Sequence, residues 1–271
     1  MSKAWIAGGA LREDAEVRLF CFAHAGGGAA LFRRWEDHLS PSVAVCPVVL
    51  PGRESRLRET PYNRMADLVP ALTDALAPHT GRPYALFGHS MGAAVAWEVA
   101  RALKARHAEA RASGGAGDGG DPASSPGEPL ILFVSGRRAP RLPATRRRFS
   151  DLTDDDLLAE LATLNGTPSA VMDQRGLLEV FLPTLRADFE LNERYSPLDA
   201  PGLTCPVSAL HGDADPEVDA DEITAWRGAT AGGFTLRVFP GDHFYLKGPR
   251  REVLDAVQDD LDRVLLTPFV H

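Results

Sequence analysis

Six short apolar runs punctuate the chain, at residues 17–22, 43–50, 84–87, 130–135, 206–210 and 235–239. Several are nearly unbroken Val, Leu, Ile and Phe rather than alternating apolar and polar positions. That is the pattern of strands covered on both faces. Between the runs the apolar period becomes helical. Val95, Val99 and Leu103 recur at four-residue steps within residues 93–103. Val253, Leu254, Val257, Leu261, Val264 and Leu265 form one stripe of a closing helix expected to open at Pro249. Met65, Leu68, Val69, Leu72 and Leu76 also have helical spacing, but Pro70 lies among them and predicts a kink or a late start. Strands alternating with helices indicate an α/β fold with a mostly parallel central sheet flanked by helices.

Two stretches break the alternation. Residues 106–128 are rich in Gly, Ser, Asp and Pro with almost no large apolar side chain, so they cannot offset the entropy of ordering and read as a flexible surface loop. Residues 150–195 carry two more helical patterns. Thr153 followed by Asp156 marks a helix start ahead of Leu157, Leu158, Leu161 and Leu164. A second helix, 176–193, places Leu178, Phe181, Leu182, Leu185 and Phe189 on one side. Inserted between strands, the pair reads as a helical lid over a site, against the plainer reading of two packing helices.

Composition narrows the function. The chain has 271 residues, 44% hydrophobic and 24% charged, an ordinary globular balance read as a single domain over 1–271. No apolar run is long enough to cross a bilayer, and the first fourteen residues lack a signal peptide's pattern. Cys21, Cys46 and Cys205 are odd in number, lack metal-ligand spacing and sit beside apolar runs. Buried reduced thiols and a cytoplasmic setting follow, with no metal and no membrane partner expected. A net charge of −8 speaks against nucleic acid. Arg137, Arg138, Arg141, Arg146, Arg147 and Arg148 are nevertheless close together in sequence, and read either as a docking patch for an acidic partner or as a solvated face.

The chemistry concentrates at strand ends. Gly88-His89-Ser90-Met91-Gly92 follows one strand and precedes a helix, the context in which G-x-S-x-G forms a nucleophile elbow. The turn is so tight that glycine is expected on both sides of the serine, whose hydroxyl then stands exposed. The amide of Met91 points from the helix N-terminus toward an oxyanion. Serine needs a base. Of the eight histidines, His243 lies between the last strand and the last helix, where this class carries it. His89, His38, His79, His107 and His271 read as structural or terminal. The base needs an acid to set its tautomer. Asp215, before Pro216, is preferred; Asp213 is held in reserve, and Asp242 adjoins the histidine too closely. The glycine-rich loop Ala23-His24-Ala25-Gly26-Gly27-Gly28 offers a second oxyanion amide, taken as that of Ala25. It lacks the Gly-Lys-Ser/Thr ending of a phosphate-binding loop.

With these residues in place, Phe20–Gly27, Leu50-Pro51-Gly52-Arg53-Glu54, Gly88–Gly92, Ser135-Gly136-Arg137-Arg138-Ala139-Pro140 and Leu185-Arg186-Ala187-Asp188-Phe189 resemble, in order, the motifs of type II thioesterases. These are the free-standing editing enzymes of polyketide and non-ribosomal peptide synthases, in the α/β-hydrolase superfamily. Ala23 departs from the proline the family often has there. The resemblance implies an α/β-hydrolase fold and hydrolysis, without a cofactor, of acyl groups from the phosphopantetheine arm of a carrier protein. It implies Ser90, Asp215 and His243 as the triad, Ala25 and Met91 as oxyanion amides, and action in trans; the oligomeric state is left open, with a monomer the default. A carboxylesterase or lipase acting on free oxygen esters shares the triad. A non-catalytic carrier-binding protein on the same fold would not need it.

Overall fold

The computed structural model describes residues 5–7, 11–113, 127–144, 146, 148–163, 175–247 and 250–266. Six strands form one sheet: β1 (Val17–Phe22), β2 (Val43–Pro47), β3 (Tyr84–His89), β4 (Leu132–Ser135), β5 (Val207–Gly212) and β6 (Phe234–Phe239). Their spatial order is β2-β1-β3-β4-β5-β6 and every neighbouring pair is parallel. All six expected strands are present; β1 matches its expected ends and the others differ by up to three residues at one or both ends. The largest shift is in β2, which stops at Pro47 because the chain then turns to the N-terminal segment, where Val49 N–H donates to Trp5 O.

The unbroken apolar runs are explained by burial on both sides. Phe20, Phe22, Leu86, Leu132 and Val134 face a core shared with α1 (Met65–Leu76) and α2 (Met91–Ala112). Leu19, Cys21, Phe87 and Phe133 face the opposite core, closed by Trp35 and by the stripe Val253, Leu254, Val257 and Leu261. That stripe belongs to the C-terminal helix Arg251–Leu266, while Pro249 lies outside the described residues. β6 is an edge strand, opposite β2, and is only half-buried. The three cysteines are free and buried, and burial raises each thiol's pKa.

Two expectations need correcting. α1 starts at Met65 and runs through Pro70, so there is no late start. The carbonyl the proline leaves without a donor is that of Ala66, on the exposed side of the helix, where water can satisfy it. The loop expected at 106–128 is shorter. Ala105, Ala108, Ala110 and Ala112 favour continued helix, and α2 reaches Ala112. Residues 114–126 lie outside the described residues, and Glu128 beyond them accepts from Thr204 N–H (2.7 Å) and Cys205 N–H (2.9 Å).

Between β4 and β5 stand α3 (Asp154–Thr163) and α4 (Arg175–Glu193). Thr153 Oγ1 accepts from Asp156 N–H at 3.2 Å, the expected cap. Leu157, Leu161, Leu182, Leu185 and Phe189 form a third apolar cluster between the two helices, and Leu161, Leu185 and Phe189 also line the cavity described below. Leu164 falls outside the described residues. Glu193 fastens the segment's entry, accepting from Phe149 N–H (2.6 Å) and Ser150 N–H (3.0 Å).

Candidate active site

From β1 the chain crosses to β2 on one side of the sheet, and from β3 to β4 on the other. Such a switch point opens a crevice above the strands' carboxyl ends. Ser90 joins β3 to α2 there with φ 54° and ψ −116°, a conformation costly for any residue with a side chain. A Cβ on Gly88 would lie 2.2 Å from Gly92 O, and one on Gly92 would lie 2.2 Å from Phe22 O. Both positions therefore require glycine, as expected, though only the second obstacle is a neighbouring strand. The first is the opening turn of α2 itself.

His243 and Asp215 are 28 residues apart, and the loops after β5 and β6 are laced together to bring them to Ser90. Asp213 N–H donates to Phe239 O (2.9 Å) and Ala214 N–H to Gly241 O (3.0 Å). His243 Nε2 stands 3.0 Å from Ser90 Oγ, and Nδ1 lies 2.9 and 3.1 Å from the two Asp215 oxygens. The Asp215 side chain is fully buried and also accepts from Glu217 N–H at 2.8 Å. With Nδ1–H donating to the carboxylate, Nε2 is left to accept the serine proton. Asp213 instead accepts from Gly241 N–H (2.9 Å), and Asp242 from Phe244 N–H (2.8 Å). The first bond ties the two loops together and the second is local to its own turn, so the reserve candidate stays outside the line.

The Ala25 and Met91 amides find no acceptor among the described residues. Met91 opens α2, where an unpaired N–H is intrinsic to the helix end. The loop bearing Ala25 is held by a pair that sequence reasoning missed. Arg53 donates to both Asp188 oxygens (2.8 and 2.7 Å) and to Gly27 O (2.9 Å), while Gly26 N–H donates to Asp188 at 2.7 Å. Their side chains are 6% and 2% exposed. Thr184 Oγ1, one turn before Asp188, donates to Gly52 O at 2.6 Å. Both motifs were visible in the sequence, but nothing in their spacing says that they meet.

Two further histidines crowd the base. The ring of His89 lies 5.1 Å from that of His243, with Nδ1 2.8 Å from Ser135 Oγ, so its structural reading holds. Burial holds His89 well below the usual histidine range, and the nearby His243 and His24 add to this. Burial also pushes His24 down to about 4, and its Nδ1–H donates to Ala25 O at 2.9 Å. Both rings are neutral at pH 7.

Ser90 and His243 open into a cavity of about 620 Å³ walled largely by apolar side chains, among them Leu31, Leu178, Phe181, Leu185 and Val218. Four of the six arginines in the run, Arg137, Arg138, Arg146 and Arg148, line this cavity. Arg137 is buried, Arg138 half-buried, Arg146 pairs with Glu222 (3.1 Å), Arg141 and Arg148 are exposed, and Arg147 lies outside the described residues.

A parallel sheet of this order, carrying a serine, a histidine and a buried carboxylate in hydrogen-bonded line at its switch point, defines a serine hydrolase of the α/β-hydrolase class. The family described as "Thioesterase domain" matches residues 17–115 and 124–261, and the chain belongs to it. The chain is 39% identical over 250 residues to thioesterase PikA5 of Streptomyces venezuelae, covering 92% of this chain and 82% of that protein. The solved RedJ thioesterase of the prodiginine pathway in Streptomyces coelicolor is 41% identical, with a TM-score of 0.76 and coverage of 91% and 86%. The type II thioesterase BorB of the borrelidin biosynthetic cluster is 35% identical, with a TM-score of 0.79 and coverage of 96% and 99%. The activity is thioester hydrolysis. No helix among the described residues is long and apolar enough to cross a membrane.

Proposed function

We propose that the protein removes acyl groups, in trans, from the phosphopantetheine arms of carrier proteins in a polyketide or non-ribosomal peptide synthase. The observation that carries this reading is the line Ser90–His243–Asp215 opening into an apolar cavity, in a chain similar to thioesterases of biosynthetic pathways. In the reaction Ser90 Oγ attacks the thioester carbon as His243 Nε2 takes its proton. The Ala25 and Met91 amides hold the oxyanion, and Asp215 stabilises the imidazolium. The C–S bond breaks and the thiol leaves with the proton from His243. Water, deprotonated by the same nitrogen, then cleaves the acyl-serine to the acid.

The test offers one acyl chain on a phosphopantetheinylated carrier protein and, in parallel, as a simple oxygen ester, to the wild type and to Ser90→Ala. Release from the carrier that exceeds ester cleavage and vanishes in Ser90→Ala is expected. Ester cleavage with the carrier ignored would move the function to an esterase, and undiminished turnover by Ser90→Ala would remove Ser90 from the mechanism.

A further inference from the structure

Arg137 follows the end of β4 and Gly136, where an added Cβ would lie 3.3 Å from His243 Cε1. It is 5% exposed, yet it is among the residues lining the cavity that Ser90 opens into, as is Asn192, to which its guanidinium is bonded. Its main chain is pinned by Trp226 Nε1–H, which donates to Arg137 O at 2.7 Å. Nη1 donates to Asn192 Oδ1 on α4, and the guanidinium lies 5.8 Å from the centre of the Tyr195 ring. Among the described residues no carboxylate pairs with it, and its Nε–H is buried without an acceptor. The neighbouring Glu222 is engaged with Arg146, and Glu98, beneath Tyr195, with Arg101. Every other buried arginine among the described residues reaches an acidic side chain: Arg18 meets Glu13, Arg53 Asp188, Arg56 Glu59 and Arg101 Glu98.

Burial lowers the Arg137 pKa to about 9, which leaves it charged at neutral pH. The cavity surface is mostly apolar, although Arg138, Arg146, Arg148 and Lys247 also line it, and a buried charged fork beside the apolar part has a definite consequence for what fills it. A plain alkyl chain would strip away its water and return nothing, whereas an oxygen acceptor would complete its hydrogen bonds. We propose that Arg137, supported by Asn192, forms a specificity subsite that selects acyl groups bearing an oxygen acceptor (keto, hydroxyl or carboxylate) over plain alkyl groups. The proposal rests on the thioesterase reading and names the class of acyl group it takes.

The experiment compares kcat/KM for three chain-matched thioesters: a six-carbon alkyl chain, the same chain with a keto group, and the same chain ending in a carboxylate. The wild type is expected to favour one or both oxygenated chains. In Arg137→Met that preference should fall by about ten- to a hundredfold, the weight of a hydrogen bond to a charged group. Asn192→Leu should lower the same ratio less. The ratio is the readout because a merely structural role would slow all three substrates alike. Which oxygenated chain responds tells a neutral acceptor from an anionic one. A wild type that favours the alkyl chain, or a ratio unchanged in the variants, overturns the subsite. Should Arg137→Met fail to fold, Arg137→Lys and Asn192→Leu carry the same comparison. Failure of the wild type to hydrolyse any of the three would count against the thioesterase reading itself.

Discussion

Replacing Asp188 by Asn changes the outline of the side chain hardly at all, but leaves Arg53 without its counter-charge in a place where that side chain is 6% exposed. Removing one partner of a buried ion pair costs about 3–5 kcal/mol. Asn can still accept one of the hydrogen bonds, so the lower end, about 3 kcal/mol, is expected. For a chain of this size each kcal/mol moves the melting temperature by about 2–4 °C, which places the fall at roughly 6–12 °C. The double variant Arg53→Met/Asp188→Leu strands no charge and should regain most of that loss. Activity should follow a different course. Asp188 and Arg53 hold Gly26 N–H and Gly27 O beside Ala25, so both variants loosen the loop carrying one oxyanion amide. Loss of an oxyanion donor costs about 10²–10³ in rate; partial displacement should cost about tenfold in kcat, with less effect on KM. Thermal melts followed by circular dichroism, with kcat and KM measured separately on a thioester substrate, test both halves. Wild-type kcat in the restabilised double variant would refute the positioning argument, and wild-type melting of Asp188→Asn would refute the energetic one.

Asp215→Asn should lower kcat by about 10⁴ through loss of the histidine's tautomer, whereas Asp213→Asn should cost less than tenfold; steady-state assays that reverse this order would reassign the acid. Gly92→Ala drives a methyl against the backbone at the end of β1 and should destabilise by more than about 4 kcal/mol; a near-native urea midpoint would contradict the packing of the elbow. His24 and His89 have folded pKa values below the unfolded value of about 6.5, so between those values the unfolded chain binds more protons. The contribution of His24 to stability is full above about pH 6.5 and is lost toward about pH 4, and that of His89 falls in the same direction as pH drops below about 6.5, at up to about 1.4 kcal/mol per pH unit for each histidine. Urea midpoints measured at about pH 7 and pH 5 should fall accordingly, and equal midpoints would show that the two rings are not held neutral.

Strand positions were legible because burial on both faces leaves an unbroken apolar run, and Ser90 because a glycine-flanked turn has a local cause. Asp215 and His243 could be placed by their position after a strand. Arg53, Asp188 and Arg137 could not, since what gives each its role is a contact with a segment far along the chain, or the want of one. Arg53 meets Asp188 across 135 residues. Arg137 looked like one of six surface arginines until the fold turned it inward. The α2 boundary failed for a simpler reason: alanines continue a helix whether or not an apolar stripe accompanies them.

The helix α4 divides its labour by angle. Thr184, Asp188 and Asn192, four residues apart, tie it to Gly52, Arg53 and Arg137. Leu178, Phe181 and Leu185, on a neighbouring stripe, line the cavity, which Thr184 and Asn192 also reach. Leu185 also lies where a Cβ on Gly26 would stand, 2.5 Å from its Cδ2, which leaves positions 178 and 181 the freer pair. Substitution at those two sites should resize the cavity while the bonds of Thr184, Asp188 and Asn192 keep the helix anchored.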